Sequence, residues 1–228
     1  MKRVYVLIII LFGISAGVLS AQEFQTAESF FNSVCQFYGT VDDYVATVII
    51  TNDGVDTKGE MLFKYPNKVR INYSDPENQV LVMDGKRFAL YLPAWRVTMI
   101  QDIRGGSSSG GAGLATREGL QLLKNRYKVS YLDSYQTVPL DENDTTPVIK
   151  LKMDWKSTRE GFRTLELAID PKTKLIRRIS GITRDSKLVK IDILKIRTNQ
   201  NIPDARFEYE APPEGSIVND FIFDTSTE

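Results

Sequence analysis

The sequence predicts a mainly β protein: a strongly curved antiparallel sheet with helices lying over its concave side. Three observations predict it. About nine or ten short segments carry apolar residues at every second position, and tight-turn signals separate them. Two apolar helical segments, one ahead of the strands and one inserted among them, supply cover. A sheet with one apolar face must bury that face against another sheet, against itself or under helices, and helices are at hand here.

The first helix is expected over 23–38. Phe24, Ala27, Phe31, Val34 and Tyr38 recur at three- and four-residue spacing, and Phe30 and Phe37 widen the stripe. From Tyr44 the period changes to two. A β-branched run to Thr51 ends at Asn52-Asp53-Gly54, a hairpin signal. Met61, Phe63 and Tyr65 share one face of the next segment, and Val69, Ile71 and Tyr73 share one face of the segment after Pro66-Asn67. Asp84-Gly85 joins 80–83 to 87–92, and Trp95, Val97 and Met99 continue the alternation after Pro93. The glycine- and serine-rich tract 105–111 then leads into a second helix over 114–126, with Leu120, Leu123 and Tyr127 on one face. Alternation resumes at 127–131, 149–155, 165–169, 175–182 and 188–196, and Phe207-Glu208-Tyr209 reads as a last strand. No internal repeat or linker divides the chain, so 22–228 is expected to be one domain.

The apolar face is rich in large, adaptable side chains, among them Met61, Met83, Met99, Met153, Trp95 and Trp155. Such linings suit an interior that accepts varied apolar guests, and they equally suit a packed core. Periodicity shows which face is apolar and leaves open whether the space behind it is filled. An outer-membrane barrel needs strands of about ten residues with the apolar face outward, and these segments are shorter.

Composition excludes several function classes. The chain has no His and one cysteine, Cys35. Imidazole-based triads and the common zinc sites are therefore out of reach, and no internal disulfide can form. The glycine tract lacks the spacing of a phosphate loop, and the acidic stretch 141–144 lacks the glycine and distal Glu of a calcium loop. No metal or cofactor is expected and no catalytic residue is assigned, though carboxylate-based chemistry stays open on composition alone. At the start, Lys2 and Arg3 precede an apolar run, and Leu19-Ser20-Ala21 offers a small-residue exit. An export signal over 1–21, cleaved after Ala21, is expected, with no cysteine there for lipidation. Its removal takes 228 residues to 207 and Lys plus Arg from 29 to 27, against 29 Asp plus Glu. That balance does not fit a nucleic-acid partner.

Two blocks carry a family resemblance. Gly59-Glu60-Met61-Leu62-Phe63-Lys64-Tyr65-Pro66-Asn67-Lys68-Val69-Arg70-Ile71 is followed by Asp75-Pro76-Glu77 and by 80–86, ending Asp84-Gly85-Lys86. Phe207-Glu208-Tyr209-Glu210-Ala211-Pro212-Pro213-Glu214-Gly215 lies near the end, and Ile169-Asp170-Pro171 with Ile176 and Ile179 lies between. These resemble the outer-membrane lipoprotein carrier family, the LolA-like proteins. The resemblance implies an incomplete, unclosed antiparallel β-barrel with a helical lid over an apolar cavity. It implies a monomeric periplasmic carrier, not an enzyme, that binds lipoprotein acyl chains. Its partners would be an inner-membrane ABC-type releasing complex and an outer-membrane acceptor, either a receptor or the membrane. The expected lining is Met61, Phe63, Tyr65, Val69, Ile71, Tyr73, Trp95, Val97 and Met99 from the sheet, with Leu120 and Leu123 from the lid. A charge at Ile71 should then weaken binding without unfolding the protein. Many carriers have an Arg before the Pro of the first block, where it contacts the lid. Here the position is Tyr65, whose phenol is a candidate donor to a lid carbonyl. A lipid- or glycolipid-binding or regulatory sensor module on the same fold is the alternative.

Overall fold

The computed structural model describes residues 25–102, 114–156 and 162–219. The expected export signal and the glycine-rich tract lie outside the described residues. Helix α1 (Ala27–Tyr38) begins at Thr26, whose Oγ1 accepts from Ser29 N at 3.1 Å, and Glu28 in the first turn complements the helix dipole. It buries Phe30, Phe31, Val34 and Tyr38, as the helical period requires.

Strands β1 (Asp43–Asn52), β2 (Val55–Lys64), β3 (Lys68–Asp75), β4 (Glu77–Met83), β5 (Arg87–Leu92) and β6 (Val97–Asp102) form a meander. Asp53 and Gly54 both have positive φ, 51° and 83°, the geometry that a two-residue hairpin demands. At Gly59 a Cβ would lie 2.6 Å from Asn72 O, so only glycine lets β2 and β3 approach there. Helix α2 (Arg117–Arg126) interrupts the meander. It is shorter at its N-terminus than 114–126, because Thr116 caps it by accepting from Gly119 N at 3.1 Å. Then follow β7 (Tyr127–Tyr131), the short β8 (Val138–Pro139), β9 (Pro147–Trp155), β10 (Phe162–Ile169), β11 (Ile176–Thr183), β12 (Leu188–Thr198) and β13 (Ser216–Asn219).

All thirteen strands of the described residues belong to one sheet, ordered β13-β6-β5-β4-β3-β2-β1-β12-β11-β10-β9-β7, with β8 on β9. Every pairing is antiparallel except β13 with β6. Among the described residues β13 and β7 do not pair, so the barrel is unclosed. Side chains from α1, α2, β1–β3 and β9–β12 meet in one apolar core, which places both helices inside the curve of the sheet. This is the expected architecture.

The convex face carries a strap. After β12 the chain turns back, and the buried Asp43 carboxylate accepts from Gln200 N at 2.5 Å and Ile202 N at 2.9 Å. Ile202 and Phe207 pack on Leu62, while Lys64 and Lys68 pair with Asp204 at 2.6 and 3.0 Å. The expected strand at Phe207-Glu208-Tyr209 is absent. A 3-10 turn, Asp204–Phe207, stands there, because Arg70 takes the Arg206 and Glu208 carbonyls at 3.2 Å each and Phe207 turns onto the sheet. The last described strand is β13, which alternation alone does not reveal.

Tyr38 ties α1 to the far half of the sheet, its hydroxyl accepting from Ile176 N at 3.1 Å. Burial pushes this phenol up to about 12 from 10.0. The folded chain therefore keeps a proton that the unfolded chain releases between about pH 10 and about pH 12. Stability is complete below that window and falls through it by about 2–3 kcal/mol. In Tyr38→Phe the neutral-pH stability should drop by about 1–3 kcal/mol, because Ile176 N loses its acceptor, and the alkaline slope should flatten. Urea midpoints from pH 8 to 11.5 check both.

Candidate functional site

The register of β1–β6 places the apolar residues in rungs. Directly paired residues share a face, so Ala46, Met61, Ile71, Leu81, Leu90 and Met99 form one continuous row across six strands. Tyr44, Phe63, Val69, Met83 and Phe88 form the next row. Both rows line the concave side.

The rows change character along their length. Met61, Phe63, Val69 and Ile71 are 0–4% exposed and belong to the core that the helices cover, as do Leu120 and Leu123 of α2. Tyr73, Leu81 and Met83 are half-buried against that core. Beyond them Phe88, Leu90, Leu92, Val97 and Met99 are half-buried and stand outside it, forming an apolar shelf continuous with the interior. Seven of the expected lining residues are thus brought together: Met61, Phe63, Val69, Ile71, Tyr73, Leu120 and Leu123. Val97 and Met99 lie on the shelf. Tyr65 sits in the β2–β3 turn at 42% exposure, and Trp95 sits in the β5–β6 turn at 72%. Neither faces the core, because each falls past the end of its strand, where the alternation no longer governs direction.

Around the centre of the row the described side chains pack closely. Ile71 and Leu120 are fully buried, and Phe30 and Phe31 of α1 are 1% exposed. A charge at Ile71 would be held away from water, so it is expected to cost stability as well as binding. Leu90 occupies the same row with its side chain partly open.

The lid is held at its N-terminal end. Arg117 places its guanidinium 4.2 Å from the centre of the Tyr65 ring and reaches Asp42 at 3.7 Å. One strand away, the buried Tyr44 hydroxyl donates to Ala115 O at 3.2 Å, and its ring lies 5.1 Å from Phe63. Burial holds the Tyr44 phenol well above its usual pKa, so it stays a donor. The phenol that bonds a lid carbonyl is thus Tyr44, while Tyr65 offers its ring face to a cation carried by the lid. Sequence alone exposed neither link, since both join segments remote in the chain. Arg117→Ala should loosen α2 by about 1 kcal/mol, a roughly fivefold rise in hydrogen exchange at its amides. Unchanged exchange would show that Arg117 does not hold the lid.

No described His, Cys, Asp or Glu side chains gather in a group able to hold a metal ion. No helix among the described residues is long and apolar enough to cross a membrane.

No curated protein matches the chain. Among solved structures, an uncharacterized conserved protein from Thermus thermophilus is similar over 85% of this chain and 98% of its own, with TM-score 0.54 and 14% identity. MucB is similar over 81% of this chain and 63% of its own, with TM-score 0.51 and 14% identity, so the chain spans less than two thirds of MucB. The Mycobacterium tuberculosis lipoprotein LppX is similar over 78% of this chain and 97% of its own, with TM-score 0.46 and 13% identity. The first two likenesses speak to the fold. The family model described as outer membrane lipoprotein carrier protein LolA matches residues 50–210, more than half the sequence, and the chain belongs to that family.

Proposed function

We propose that this protein is a periplasmic carrier. It takes lipoproteins released from the inner membrane, shields their acyl chains on its concave face, and passes them toward the outer membrane. The observation that carries this reading is the row from Ile71 through Leu81 and Leu90 to Met99, which runs unbroken from a closed core onto a half-open shelf. An acyl chain begins on the shelf and extends inward as α2 swings away. Uncovering Leu120 and Leu123 costs about 1.5–3 kcal/mol each, whereas ten buried methylenes return about 8 kcal/mol. Binding therefore offsets opening without covalent chemistry, and no catalytic group or cofactor has a part in it.

Met61, Phe63, Val69, Ile71, Tyr73, Leu120 and Leu123 are the contacts that part, Val97 and Met99 are the entry, and Tyr65 is the lid's rim anchor. The export signal over 1–21 would deliver residues 22–228 as one soluble monomeric domain. Its partners are a releasing complex at the inner membrane and an acceptor at the outer membrane. The test is release of an acylated lipoprotein from inner-membrane vesicles bearing that complex. A soluble one-to-one complex is expected, and Leu90→Glu should reduce its yield about tenfold, since the charge loses its hydration when an acyl chain covers it. Acyl binding without release would move the function to a lipid-binding or sensor module.

A further inference from the structure

A basic groove lies away from the lidded rows, at the sheet edge formed by β7, where α1 meets the last turn of α2. Its volume is about 280 Å³, near the lower end of the roughly 300–1,000 Å³ typical of small-molecule sites. Lys124, Lys128 and Lys156 line it, against one carboxylate, Glu28. Lys156 Nζ is fixed by the Lys124 and Asn125 carbonyls at the end of α2, at 3.0 and 3.3 Å. Among the described residues Lys124 and Lys128 have no acidic partner within ion-pair distance. Asp154, which faces Lys128 across the strand pair, is held instead by Lys152 at 2.9 Å.

Two further features distinguish the groove from a solvated charged face. Asn32 Oδ1 lines it as a buried acceptor with no hydrogen-bond partner among the described residues. Phe31 and Tyr127, 1% and 4% exposed, belong both to its wall and to the apolar core. Three ammonium groups in one groove repel each other until an anion neutralises them, and a lysine cluster is a natural phosphate partner. The unpartnered acceptor calls for a hydroxyl or N–H beside the anion, and the apolar wall calls for a hydrocarbon.

We propose that this groove binds a phosphate ester, with Lys124, Lys128 and Lys156 on the phosphate oxygens and Asn32 on a neighbouring donor. As a site for a phospholipid headgroup, this assignment rests on the lipid-binding alternative rather than on lipoprotein cargo, whose acyl anchor carries no phosphate. As a site for free phosphate it stands without it.

The test compares dihexanoyl phosphatidylglycerol, dihexanoyl phosphatidylcholine and inorganic phosphate by titration calorimetry, on the wild type and on Lys124→Gln/Lys128→Gln. Both lysines are exposed, Lys124 on α2, where glutamine is a good helix former, and Lys128 on the edge strand β7, where an exposed polar residue replaces another, so the variant folds. The wild type should prefer the phosphatidylglycerol by about tenfold. The double variant should lose that preference and keep its affinity for the phosphatidylcholine. The preference should also fade from about 0.01 M to about 1 M salt, as the Debye length shrinks from about 30 to about 3 Å. Lysine-dependent binding of inorganic phosphate alone, with neither lipid bound, supports the groove as a free-phosphate site while the lipid-binding alternative fails. A headgroup preference that survives in the double variant overturns the proposal, as does a wild type that binds neither anion better than the phosphatidylcholine.

Discussion

Ile71→Glu is expected to unfold the protein or leave it barely stable. Ile71 exposes nothing, lies in the middle of the core row, and has Met61 and Leu81 as its direct partners. A carboxylate there has no partner, and the cost is on the order of 4 kcal/mol or more, a large share of the roughly 5–15 kcal/mol that holds a domain together. Leu90→Glu, two strands along the same row, should cost about 1 kcal/mol or less, because the half-open side chain lets the charge stay hydrated. Urea midpoints and near-ultraviolet circular dichroism distinguish the two. Equal losses at both positions would mean that the shelf is core and that acyl chains have no open place to begin.

Asp43→Ala is expected to lower stability by about 3 kcal/mol. The side chain is 3% exposed and satisfies two backbone N–H groups of the returning strap, at Gln200 and Ile202. Hydrogen bonds to a charged group are worth about 1.5–3 kcal/mol each, and removing the acceptor leaves two donors stranded beside Ile202. Asp43→Asn should fall between, keeping one acceptor oxygen and losing the charge. Proteolysis between 199 and 215 should speed up in step with the stability loss. An unchanged urea midpoint would show that water replaces the carboxylate at no cost.

What is legible in the sequence follows from what periodicity encodes. Met61, Phe63, Val69 and Ile71 fall on one face in sequence and in structure alike, because their strand segments are regular and the sheet side-chain period is two. Tyr65 and Trp95 continue that spacing on paper but stand in turns, where the chain has left the pleat. Leu81, Leu90 and the other members of the rows become visible as a site only through register, which joins segments distant in sequence. The Tyr44–Ala115 and Arg117–Tyr65 links span the same kind of distance. β13 escapes notice because its four residues are all exposed and show no alternation of burial. Whether the space behind the apolar face is packed or empty is beyond any pattern of apolar residues, since both have the same alternation.

The most direct measurement is equilibrium binding of a pyrene-labelled fatty acid to the wild type, Leu90→Glu and Arg117→Ala. The wild type is expected to bind at micromolar concentration or tighter. Leu90→Glu should weaken binding about tenfold with its fold intact, since a charge on the shelf opposes the first methylenes to arrive. Arg117→Ala should tighten it several-fold, since the closed lid then competes less. A wild type that binds no acyl probe, or equal binding by all three proteins, would contradict entry along the shelf beneath an opening lid.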